Sequence, residues 1–138
     1  MPLTLTLTEG VLPAGSKKKA VTEITDAMLK RHGLTGNSVM TPNVTATVHV
    51  LAKDSTFSGG QPFSGAWVEW KVPSFAFNSK EIQRGFFADA TNIIHKLSEG
   101  KQPKEHIYVN VVHTVDGAWN FNGQAMTNEQ IGEAISKG

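Results

Sequence analysis

The 138-residue sequence contains no cysteine. Disulfides, thiolate nucleophiles and zinc–thiolate centres are therefore excluded. An excess of one charge is lacking too. Thirteen Lys and Arg stand against 12 Asp and Glu, for a formal net charge of +1, too little to gather nucleic acid or an anionic membrane. The one basic run, residues 17–19, reads as the solvated start of a helix. No apolar run approaches membrane length, and the N-terminus has neither a basic n-region nor an apolar h-region. The expectation is a cytoplasmic protein without nucleic-acid or membrane partners. Asn43-Val44-Thr45 matches a glycosylation sequon, which without a secretory signal is read as chance.

Signals for metals and cofactors are equally sparse. No two of His32, His49, His95, His106 and His113 stand at helical ligand spacing, so a metal site is not expected. The glycine-rich stretch SGGQPFSG (58–65) lacks the lysine of a phosphate-binding loop. No cofactor is expected.

What is present is a hydrophobic content of 39%, enough for the core of one domain. Leu3, Leu5 and Leu7 alternate with threonines, the pattern of a half-buried strand. Ser16 caps a helix running to about His32, where Gly33 stops it, with Val21, Ile24 and Met28 on one face. A β-branched second strand spans 44–52. The order then repeats. A strand spans 66–72. A helix follows, capped by Asn78 with Glu81 in a capping box, its stripe formed by Ile82, Phe86, Ala90, Ile93 and Leu97. A fourth strand spans 106–115.

The two halves share sequence as well as order. DSTFSGGQ (54–61) is similar to GAWNFNGQ (117–124), and Val48-His49 precedes the first as Val112-His113 precedes the second. The step from Phe57 to Phe121 is 121 − 57 = 64 residues, which sets Pro2 against Ala66. The chain thus reads as one α+β domain over 1–138, a β-α-β unit written twice: repeat one 2–65, repeat two 66–127 and a short tail 128–138. Each unit joins parallel strands through a helix, giving a four-stranded mixed sheet with two helices on one face. Leu, Val, Ile and Trp side chains on the other face need a cover, and a second copy of the chain is the simplest one.

Pro2 follows the initiator methionine directly, and proline donates nothing to a strand ladder. An amino-terminal proline, fused β-α-β units and a glycine-rich hairpin after each second strand resemble the tautomerase superfamily. LTEG before a helix and AKDSTFSGG after strand two are similar to 4-oxalocrotonate tautomerase. The fused length, AVTEITDAMLKRHGLTG and KEHIYVNV are similar to the cis-3-chloroacrylic acid dehalogenase group. The likeness runs over nearly the whole chain.

The resemblance implies a homotrimer, a small-molecule substrate and removal of Met1, leaving the Pro2 amine as general base and acid. The chemistry is sound. An α-amino group starts near ~7.7–8.0, and an apolar wall or neighbouring cations lower it toward the working pH. The other positions depart from the family pattern. The helix-one histidine of the dehalogenase group falls on Met28, and its two carboxylate-clamping arginines fall on Phe75 and Asn78. Its fourth-strand tyrosine falls on Asn110, and its water-activating glutamate falls near Phe121. The second-strand arginine of 4-oxalocrotonate tautomerase falls on Thr45 or Ala46. Met28, Lys71, Phe75, Asn78, Asn110 and Phe121 are the candidate pocket residues, with Lys71 and Arg84 as the cations available for an acid. The expected activity is keto–enol tautomerisation. The alternatives are a hydratase or dehalogenase of small unsaturated acids with rebuilt acid-binding groups, or a non-catalytic trimeric family member.

Overall fold

A computed structural model describes all residues, 1–138. In chain order the elements are β1 (Pro2–Thr8), α1 (Lys17–Arg31), β2 (Thr45–Leu51), a short hairpin β3 (Phe57–Ser58) and β4 (Gln61–Pro62), β5 (Ala66–Pro73), α2 (Lys80–Leu97), β6 (Ile107–Thr114), a second hairpin β7 (Trp119–Phe121) and β8 (Gln124–Met126), and α3 (Asn128–Ser136). The main sheet has the order β2-β1-β5-β6. β1 and β2 are parallel, β5 and β6 are parallel, and β1 meets β5 antiparallel at the centre. It is the duplicated β-α-β arrangement, with α1 and α2 packed against each other.

Strand alternation decides the faces. Leu3, Leu5 and Leu7 sit opposite Trp70, Val68 and Ala66, and all six are buried with the helix residues Ala20, Ile24, Met28, Phe86, Ala90 and Ile94. Fully burying one such large side chain contributes about 1.5–3 kcal/mol. The opposite face differs from expectation. It presents Pro2, Thr4 and Thr6 from β1, Thr45, Thr47 and His49 from β2, Trp67, Glu69 and Lys71 from β5, and Tyr108, Asn110 and Val112 from β6. The central strands turn their large aliphatic residues and Trp70 toward the helices, so the open face is mostly polar. Its exposed apolar residues are Leu51, Val112 and Tyr108, the last stacked on Trp67 with ring centroids 6.1 Å apart.

The repeat step also needs correction. The two hairpins turn through Gly59-Gly60, with φ 56° and 77°, and Asn122-Gly123, with φ 54° and 77°. Both central residues are left-handed, as a two-residue turn matching strand twist requires. These turns correspond at 122 − 59 = 63 residues, not 64. A step of 63 carries Leu3, Leu5 and Leu7 onto Ala66, Val68 and Trp70, all facing the helices. A step of 64 would swap the faces, because strand side chains alternate. Pro2 therefore corresponds to Gly65 rather than Ala66. His49 and His113 are likewise not equivalent: His49 lies on the open face with Thr47, while His113 aligns with Val72 on the helix side.

Helix termini show smaller differences. Ser16 stands at the N-cap of α1 but its side chain makes no capping bond. The cap of α2 is Ser79, whose side chain accepts from Ile82 N–H at 3.1 Å, and not Asn78. Phe77, with φ 51°, turns the chain just before. Asn78 is left exposed, and Ser79 has the extended backbone a cap needs. The tail forms α3 behind a capping box of Thr127 and Gln130. No helix is long and apolar enough to cross a membrane.

Candidate active site

Pro2 opens β1 at the end of the sheet where β5 and β6 finish. It pairs with Thr45 of β2, and its side chain is exposed on the open face. The antiparallel register puts Leu3 opposite Trp70, so one further step sets Pro2 opposite Lys71. Lys71 in turn aligns with Val112. One row across the open face thus reads Thr45, Pro2, Lys71, Val112. Lys71 is exposed and takes part in none of the three ion pairs of the chain. In the next row Glu69 stands between Thr4 and Asn110, and Asn110 is exposed.

The other predicted residues divide by location. Phe75 is half-buried against the core, and Asn78 is exposed, both in the segment between β5 and α2. Met28 is fully buried in the core on α1, and Phe121 is buried on β7 at 3% exposure. Neither Met28 nor Phe121 lines a cleft of the chain, and no cleft contains Pro2. Arg84 is exposed on α2. Of the predicted set, the fold brings together Pro2, Lys71 and, one row away, Asn110.

The segment after β5 is tied down by His32 and His113, which the sequence offered only as histidines without ligand spacing, and by Gln83 and Asn128, which it did not single out. His32 caps the C-terminus of α1. Its Nδ1–H donates to Met28 O at 2.8 Å, and its Nε2 accepts from Phe77 N–H at 3.0 Å. His113 Nε2–H donates to Ala76 O at 2.7 Å. Gln83 Nε2–H donates to Phe77 O, and Asn128 Nδ2–H donates to Ser74 Oγ. Through Asn128, whose backbone N–H is held by Asp116, the start of α3 is attached to the same end of the sheet.

The amino terminus is enclosed. Met1 is only 6% exposed and its side chain belongs to the core. Its amine donates to Asn43 O, and its carbonyl accepts from Thr45 N–H at 3.2 Å. Burial pushes the Met1 amine down from 8.0 to about 6. Removal from water disfavours the charged form of that amine. Asn43 and Thr45 act here through backbone atoms, which leave no side-chain signature in a sequence. No cluster of three His, Asp or Glu residues is placed to hold a metal ion.

No protein-family model matches the chain, and no curated protein does. Solved structures do. Pt0534 inactivated by 2-oxo-3-pentynoate superposes with a TM-score of 0.77 at 17% identity, covering 96% of this chain and 99% of that one. A native fused 4-OT gives 0.75 at 15% identity over 96% and 99%. N1, a member of the cis-3-chloroacrylic acid dehalogenase family, gives 0.73 at 12% identity over 99% of both chains. These neighbours are tautomerase-superfamily proteins, and the chain has their fold from end to end.

Proposed function

We propose that this chain is a cofactor-independent tautomerase in which Pro2, freed by removal of Met1, is general base and acid for a small carbonyl or enol substrate. The observation that carries the reading is the position of Pro2. It begins a central strand beside an unpaired cation, Lys71. A neighbouring cation disfavours the protonated form of the Pro2 amine, and the ring fixes the direction of its lone pair. Lys71 supplies positive charge for a substrate carboxylate. Asn110, one row away, offers a neutral hydrogen-bonding group.

The reading includes assembly. Fused 4-OT proteins of this fold form trimers. The open sheet face and the lack of any own-chain cleft around Pro2 fit a site closed by a neighbouring copy. Light scattering at micromolar concentration should return three times the 14.9 kDa chain mass; a monomer mass overturns the assembly.

The test of the chemistry is ketonisation of phenylenolpyruvate by Met1-free protein, verified by intact mass. Pro2→Ala should remove most of the activity with the circular dichroism unchanged, since Pro2 is exposed and its side chain fills no core space. Unchanged turnover in Pro2→Ala assigns any activity to another group.

A further inference from the structure

Met1 marks the volume that adjoins the Pro2 nitrogen. Its carbonyl carbon is bonded to that nitrogen, its side chain is enclosed with the core, and both its backbone polar groups are held, by Asn43 O and Thr45 N–H. Continuing the register of β1 and β5 sets Met1 opposite Val72, which is fully buried. Removing Met1 therefore leaves three features together. One is an apolar space the size of an unbranched four-atom chain. The second is a Thr45 N–H without its ladder partner, and the third is an Asn43 carbonyl without a donor. Asn43 is half-buried and Thr45 exposed on the edge strand, so each freed group is open to a new partner, a ligand in place of water.

We propose that this vacated space is the substrate pocket. It accepts a carbonyl compound whose α-carbon carries an unbranched apolar chain, with the carbonyl oxygen bound to Thr45 N–H. The inference rests on the proposed role of Pro2 and adds the shape of the substrate and the donor that stabilises its enolate.

The position of the donor fits the chemistry. Thr45 N–H already binds an oxygen on the carbon attached to the Pro2 nitrogen. A substrate whose carbonyl oxygen takes the same hydrogen bond, with its carbonyl carbon drawn back to non-bonded distance from Pro2, turns its α-carbon toward the proline lone pair. The lone pair takes a proton from the α-carbon, and the C–H electron pair forms the C=C bond. The carbonyl π pair moves onto oxygen, where Thr45 N–H meets the developing charge. The Pro2 ammonium then returns its proton to oxygen, giving the enol, or to carbon. No other reactant is consumed. One preorganised donor at such an oxygen commonly supplies a factor of ~10²–10³ in rate.

The experiment compares Met1-free protein with Met1-retaining protein from cells in which methionine aminopeptidase is inhibited. The ligands are 2-oxoheptanoate, whose α-carbon chain matches methionine in length, and pyruvate, which has no chain. Met1-free Pro2→Ala protein measures binding without turnover. It should bind 2-oxoheptanoate at least roughly tenfold more tightly than pyruvate, since each buried methylene is worth roughly fourfold. Binding should move the Thr45 amide proton downfield in the NMR spectrum. Met1-retaining protein should bind 2-oxoheptanoate at least roughly tenfold more weakly than Met1-free protein, by the same burial. Equal affinity for the two acids, equal binding by the two forms of the protein, or an unmoved Thr45 resonance overturns the pocket, even when Pro2→Ala loses turnover. Full turnover in Pro2→Ala together with the expected binding overturns the role of Pro2 and leaves the pocket standing.

Discussion

His32 holds Phe77 twice: its Nε2 accepts the Phe77 backbone N–H at 3.0 Å, and its ring meets the Phe77 ring edge-on at 4.5 Å. The contact joins the end of α1 to the segment that leads from β5, the strand of Lys71, into α2. It also fixes the ring's protonation. Nδ1 carries the proton, given to Met28 O, and Nε2 must be bare to accept. Burial lowers the His32 pKa from its ordinary 6.5, with the Met28 bond opposing. The folded state therefore binds a proton less readily than the unfolded chain. Stability from this contact is full above about pH 6.5 and is lost as pH falls through the lowered folded value. Urea denaturation of Met1-free protein between pH 7.5 and 5 should show the decline, and His32→Asn should flatten it relative to wild type. Parallel pH profiles for the two proteins would contradict the assignment.

Lys71 should act on substrate acids alone. A charge-assisted bond to a carboxylate is worth about 1.5–3 kcal/mol, or roughly tenfold to a hundredfold. Lys71→Ala should lower kcat/KM for phenylenolpyruvate by about that factor and leave the methyl ester of the same enol unaffected. Lys71→Arg should restore part of the loss. A uniform loss for acid and ester would mean that Lys71 supports the fold of the site instead of binding the carboxylate.

The sequence carried the fold in its alternations. The Leu-Thr pattern of β1 places its leucines where the structure has them, the stripe of α2 finds Phe86 and Ala90 but names the half-buried Ile93 in place of the buried Ile94, and the duplication predicted a four-stranded mixed sheet with both helices on one face. The errors lie where one residue decides. A 64-residue step from matching Phe57 with Phe121 overlooked that the turn glycines Gly60 and Gly123 correspond at 63, and the one-residue slip exchanged sheet faces. Asn78 and Ser79 are both good caps, and the left-handed turn at Phe77 that selects Ser79 is set by tertiary contacts with His32 and Gln83. Of the proposed site, Pro2, Lys71 and Asn110 were legible in the sequence. Asn43 and Thr45 contribute backbone atoms, which any residue type but proline supplies equally, and Met28 looks the same in sequence whether it lines a pocket or fills a core.

Dehalogenation separates the proposed tautomerase from the group whose sequence it resembles. Releasing chloride from cis-3-chloroacrylate requires cations that hold the carboxylate and polarise the alkene, together with a base that activates water. Bidentate arginine suits the first task. The resemblance aligns Phe75 and Asn78 with the two arginines. Phe75 is half-buried with no charge to offer, and Asn78 is exposed, which leaves Lys71 as the one cation in the Pro2 row. The position of the water-activating glutamate holds Phe121, buried at 3% exposure. The fold offers Glu69 on the open face, but its register partner is Thr4 and not Pro2. Each missing contact of this kind commonly costs a factor of ~10²–10³, so two absent arginines and a displaced carboxylate leave almost no rate. Chloride release by Met1-free protein at millimolar substrate should stay near the uncatalysed background while the same preparation ketonises phenylenolpyruvate. A rate comparable to that of a dedicated dehalogenase would overturn this assignment and make Lys71→Ala and Glu69→Gln the first variants to measure.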